Sequence, residues 1–188
     1  MKTHTFFRDY LARMCEVIVD VDHAALNDAV ALIRATKRAR KKILMAGNGG
    51  SAAIASHVAV DFTKAVGVRA MSFNVPELIT CFGNDYGYER WVERALGFYA
   101  DPGDLVILIS SSGKSPNILN AARLTKRSRL KLITFSGFSS GNPLRKLGDI
   151  NFWLDSSGYN IVEMTHSVWL GAILDALMGL DLSKERKQ

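Results

Sequence analysis

The chain has 188 residues, 48% hydrophobic and 22% charged, with a net charge of +6. That is apolar material for one globular domain, and it excludes a disordered tail, a collagen-like fibre and a small disulfide-stapled module. No apolar run reaches the roughly 18–20 residues of a membrane span uninterrupted by Lys, Arg, Asp or Asn. Acids and bases also run through the N-terminal apolar stretch, unlike a signal peptide. Cys15 and Cys81 lack CxxC spacing, which predicts a reducing compartment, buried thiols and a cytoplasmic protein with no membrane partner.

In chain order, helix-period apolar positions predict helices over 6–20 (Phe7, Leu11, Met14, Cys15, Ile18) and 22–38 (Ala25, Leu26, Val30, Ile33), with Asp22 capping the second. A short strand over 42–47 ends in glycine, and a helix follows over 52–65. Residues 69–74 read as a strand, Pro76 opens a short helix, and another helix covers 86–99. The strand at 104–110 is β-branched and apolar on both faces, as a central parallel strand is. A helix from Pro116 to Ser128, strands at 130–136 and 149–154, and a long helix over 161–179 complete the chain. Strands separated by helices predict a parallel, doubly wound α/β sheet.

Two stretches concentrate the positive charge: Arg34, Lys37, Arg38, Arg40, Lys41 and Lys42, then Arg123, Lys126, Arg127, Arg129 and Lys131. Each closes a helical pattern just before a strand, where cations suit the helix dipole. Neither carries aromatic interleaving or a recognised binding motif, so nucleic acid is not the expected partner.

In a doubly wound sheet, ligands sit beyond the carboxyl ends of the strands. The loop leaving the first strand is Gly47-Asn48-Gly49-Gly50-Ser51, three glycines in four residues, with Ser51 at the expected helix N-cap. An ordinary capped Asn-Gly turn needs fewer glycines, so close approach of a ligand to the backbone is the better reading. The loop leaving the 104–110 strand is Ser110-Ser111-Ser112-Gly113-Lys114-Ser115-Pro116, with Ser115 as N-cap and Pro116 at the first helical position. Hydroxyls, amides and a helix start aimed at one point suit a phosphate. Gly113-Lys114-Ser115 is not a nucleotide P-loop, because the glycine needed five residues earlier is Leu108.

These two loops, with Cys81-Phe82-Gly83-Asn84-Asp85-Tyr86-Gly87 between them, occur in the order seen in sugar isomerase (SIS) domains, and the chain resembles the phosphoheptose isomerase branch over nearly its whole length. The resemblance implies one SIS domain over 1–188. Its oligomerisation helices would span 1–40 and its α/β core 41–188, with a five-stranded parallel sheet. A homotetramer with sites between subunits is implied as well. It implies that a phosphorylated sugar is held by Asn48, Gly49, Ser51, Ser110, Ser111, Ser112 and Ser115, with Asn84 and Asp85 on sugar hydroxyls.

Ketose–aldose isomerisation needs a base at the carbon between carbonyl and hydroxyl, and an acid for the oxygen proton. His57 and Asp61 lie four apart on one helix and point the same way. By resemblance they occupy the places of a zinc-binding histidine and a glutamate that is also the base. Asp61 is one methylene shorter. Glu163 falls at a zinc-binding glutamine, so the implied zinc set is His57, Asp61 and Glu163. The family's second catalytic histidine falls at Gly171, and its aspartate near Asn160; His166, one turn after Glu163, is the candidate substitute. Two functions follow from the resemblance. One is isomerisation of sedoheptulose 7-phosphate or a similar ketose phosphate. The other is non-catalytic phosphosugar binding, as in relatives that associate with the bacterial replication initiator.

Overall fold

A computed structural model describes residues 3–185. Its centre is one parallel sheet of β1 (Ile43–Ala46), β2 (Ala70–Ser72), β3 (Leu105–Ser110), β4 (Lys131–Ser136) and β5 (Ile150–Trp153), in the order β2-β1-β3-β4-β5. β1 and β3 pair in register from Ile43 opposite Leu105 to Ala46 opposite Leu108, and every residue of both strands is buried.

The period of two divides the core between the faces of the sheet. Ile43, Met45, Leu105, Ile107 and Ile109 pack with α2 (His23–Arg38), α3 (Gly50–Asp61) and α7 (Tyr159–Met178). Leu44, Ala46, Val106 and Leu108 pack with α5 (Trp91–Tyr99) and α6 (Pro116–Arg127) on the other face. α4 (Pro76–Tyr86) follows β2, and α8 (Leu182–Glu185) ends the described chain.

Local chemistry sets the helix ends. Asp22 Oδ1 accepts from the Ala24 and Ala25 amides at 2.8 and 3.2 Å, the expected N-cap of α2. Lys37 and Arg38 fall in the last turn of α2, and Lys126 and Arg127 in that of α6. α3 runs on into a π-helical turn over Phe62–Val66, which Gly67 ends with φ of 72°. α1 (Thr3–Val19) lies outside the sheet layers and is tied to α7 where Trp169 Nε1 donates to the Ile18 carbonyl at 2.8 Å.

Two expectations need correction. Cys15 and Cys81 are exposed, not buried. The 86–99 helix begins only at Trp91, because Gly87 closes α4 first. By length and composition alone α7 is apolar enough to cross a membrane. Seven of its residues, from Val162 to Leu174, are nevertheless buried in the core.

One of those seven is His166. It has no exposed surface, lies edge-on to Phe135 and donates from Nε2 to the Ser136 carbonyl at 3.2 Å, while Nδ1 has no partner. Burial pushes its pKa down from 6.5 to about 4 against the smaller upward pull of that hydrogen bond. The folded state therefore demands a neutral imidazole. Its contribution to stability is complete above pH 6.5 and is lost as the pH falls toward 4, a change of about 3 kcal/mol. Urea melts of the wild type across that interval should show the loss, and His166→Gln should remove that part of the slope. Equal slopes in the two proteins would contradict this account.

Candidate phosphosugar site

β1 and β3 are neighbours, but their chains leave toward opposite faces, β1 into α3 and β3 into α6. This reversal opens a crevice at the carboxyl ends of the two strands. Both loops singled out in the sequence meet there, around a cavity of about 240 Å³. Asn48, Gly49 and Ser51 come from the first loop, and Ser110, Ser111, Ser112 and Ser115 from the second. Tyr159 and Glu163 of α7 complete the wall.

The first loop differs from the expected cap. Gly49, at φ 55°, is the N-cap of α3, and Ser51 is the second helical residue, 2% exposed. The Ala52 and Ala53 amides bond back to the Gly49 carbonyl at 3.0 and 3.1 Å, while the Gly50 and Ser51 amides have no acceptor among the described residues. A side chain at Gly50 would overlap the Glu163 carboxylate, whose Oε1 is 3.5 Å from Ser111 Oγ. An internal anion thus rests against the start of α3, where the helix dipole favours negative charge.

In the second loop Ser115 is the N-cap of α6, as expected. Its hydroxyl turns to Ser110 Oγ at 3.1 Å instead of capping an amide. Ser112 Oγ accepts from the Lys114 amide at 3.2 Å, while the Lys114 side chain is exposed.

Two residues that the sequence reading missed join the loops. Asn48 and Asn117 exchange carboxamide hydrogen bonds at 3.0 and 2.8 Å, and Asn117 is 1% exposed. Tyr88 Oη donates to Asn48 Oδ1 at 3.1 Å. The partners in the amide pair are 69 positions apart, so no local pattern announces it.

The remaining candidates lie elsewhere. Asn84 and Asp85 are exposed in the last turn of α4, hydrogen-bonded to each other at 2.9 Å, and do not line the cavity. His57 Nε2 and Asp61 Oδ2 are 3.1 Å apart along α3, with the histidine 75% exposed. His166 is sealed in the core, so the structure does not bring it to the site as a substitute acid.

The SIS domain family matches residues 6–137. The chain is 37% identical over 143 residues to the phosphoheptose isomerase of Burkholderia pseudomallei, covering 73% of this chain and 72% of that protein. This chain belongs to the SIS-domain family, on its phosphoheptose isomerase branch. The Aliarcobacter butzleri phosphoheptose isomerase is 32% identical over 155 residues, covering 79% of this chain and 82% of that protein. A solved phosphoheptose isomerase from Francisella tularensis shares the fold at a TM-score of 0.87 and 21% identity, covering 96% of this chain and 100% of that one.

For this SIS domain the implied zinc set can be tested on geometry. Glu163 rests on Gly50, and His57 is seven residues further on, roughly 10 Å along the α3 axis. Among the described residues no three His, Cys, Asp or Glu side chains converge as a metal group. As placed, His57, Asp61 and Glu163 do not fit one zinc ion. What they offer is a carboxylate against Gly50 and a hydrogen-bonded His57–Asp61 pair further along the same helix.

Proposed function

We propose that the protein isomerises sedoheptulose 7-phosphate or a similar ketose phosphate to the aldose. The carrying observation is the single cavity that serines of both loops line at the start of α3, where the Gly50 and Ser51 amides have no acceptor among the described residues. In this reading Ser51, Ser110, Ser112 and Ser115 hold the phosphate through charge-assisted hydrogen bonds. At 100° per residue, His57 and Asp61 fall within about 20° of Gly50 around the helix. A sugar chain extended from the cradle along α3 therefore carries its carbonyl end toward that pair. A seven-carbon chain spans such a distance, which favours a long ketose over a triose or tetrose.

Asp61 takes the proton from the carbon between carbonyl and hydroxyl and returns it to the neighbouring carbon, moving the carbonyl from the second carbon to the first. His57, hydrogen-bonded to Asp61, passes the hydroxyl proton between the two oxygens.

The weak point of this constellation is Gly171. A Cβ there would meet nothing within 4 Å, so packing within the chain does not demand glycine. This observation favours the second reading, a phosphosugar-binding protein without turnover. Aldose formation from sedoheptulose 7-phosphate, measured with and without added zinc, separates the two. A missing general acid typically costs 10²–10⁴-fold, so we expect slow turnover, raised by Gly171→His. Wild-type turnover near the ~10 s⁻¹ typical of enzymes, slowed by Gly171→His, would contradict the incomplete-site reading. No aldose from either protein would favour binding alone.

The proposal extends to a cytoplasmic homotetramer with sites shared between subunits. Phe7 and Leu11 of α1 are 65% and 60% exposed, and Met164 and Val168 of α7 are exposed too. Such apolar surface is what a symmetric interface covers. It would also give Asn84 and Asp85 a neighbouring site to face. Light scattering at micromolar concentration should give a tetramer mass; a monomer mass would remove the shared-site argument.

A further inference from the structure

At the opposite end of the sheet, where the strands begin, two turns flank an open cavity of about 370 Å³. Lys37 comes from the last turn of α2, Arg40 and Lys41 from the turn into β1, and Arg69 from the turn into β2; Gly67 and Val68 form the rest of the wall. Lys37 Nζ donates to the Val66 carbonyl at 2.6 Å, and Arg69 donates to the Arg40 carbonyl. The Lys41 stem lies over Gly103.

Among the described residues none of these four cations forms an ion pair. The acids nearby, Asp101 and Asp104, both bind Lys42, each at 2.5 Å. Lys41 and Arg69 still act on Asp101 through space, adding to the Lys42 hydrogen bond that holds its carboxyl below the usual range.

Helix-dipole compensation accounts for Lys37, in the last turn of α2, but not for Arg40, Lys41 or Arg69, which lie outside the helix. The second basic stretch supplies the contrast. Around the end of α6, Lys126 and Lys131 share Asp149, at 3.1 and 3.7 Å, and Arg127 pairs with Glu93 at 3.0 Å. Three cations around the end of α6 are thus paired within the chain, whereas the four around this cavity have no carboxylate partner among the described residues. Arg40 is left-handed, at φ 57°, just beyond the C-cap of α2, as Arg129 is, at φ 56°, just beyond that of α6.

We propose that this cavity binds a compact, multiply charged phosphate anion of the diphosphate class, at a site separate from the phosphosugar loops. Four cations surrounding one concavity suit closely spaced phosphate oxygens. No aromatic face lines the cavity for a base to stack on, which disfavours a nucleic-acid strand.

The test is calorimetry with inorganic pyrophosphate at low ionic strength on three forms of the full chain: wild type, Arg40→Gly with Lys41→Ala, and Ser110, Ser112 and Ser115 all changed to Ala. Arg40→Gly suits the left-handed turn, and thermal melts verify the fold of each form. Two sites per wild-type chain are expected. The Arg40/Lys41 variant should lose one of them by at least tenfold in affinity, and the serine variant should keep that one. A single site lost only with the serines would overturn the proposal while leaving the phosphosugar reading intact. Pyrophosphate binding to the serine variant that the Arg40/Lys41 changes do not weaken would also overturn it. So would a single-stranded oligonucleotide that displaces pyrophosphate from this face at lower concentration.

Discussion

The amides of Gly50 and Ser51 begin a helix at the crevice between two fully buried strands, and nothing in their own loop accepts from them. A helix start in such a place needs a negative partner. The surrounding arrangement answers that need. β1 and β3 must be adjacent and send their helices to opposite faces, so that the serines after β3 reach the start of α3. The Asn48–Asn117 exchange holds the two loops in that relation. In the chain alone, the carboxylate of Glu163 rests against Gly50, which leaves no room there for any side chain.

That arrangement ties the proposed phosphate cradle directly to the fold. The cradle is rigid because its loops are pinned to buried strands and to each other. The His57–Asp61 pair is more exposed and lies further along the same helix. Anion binding is therefore the better-supported half of the proposed activity. Chemistry depends on side chains that solvent, or a neighbouring subunit, still reaches.

Much of this was legible in the sequence. The run from Leu105 to Ser110 could be little but a central strand, and the glycine and serine loops marked the ends of β1 and β3. The start of α3 was misplaced because a serine after glycines looks like a cap, whereas Gly49 takes that role through backbone conformation alone. Pro76 read as opening only a short helix, yet that helix runs on through Asn84 and Asp85 until Gly87 closes it. α7 is apolar on nearly every side, so periodicity did not tell which face met the core, and His166 went to the wrong one. Asn117 and Tyr88 stayed hidden because their value lies in contacts distant in sequence.

The central claim is that the start of α3 and the serine loop after β3 form one phosphate cradle. A crystal structure of the protein soaked with sedoheptulose 7-phosphate tests it most directly. The account predicts the phosphate within hydrogen-bonding distance of the Ser51, Ser110, Ser112 and Ser115 hydroxyls, with the sugar running along α3 toward His57. A phosphate bound only among Lys37, Arg40 and Arg69, with the serine loop left to solvent, would contradict it.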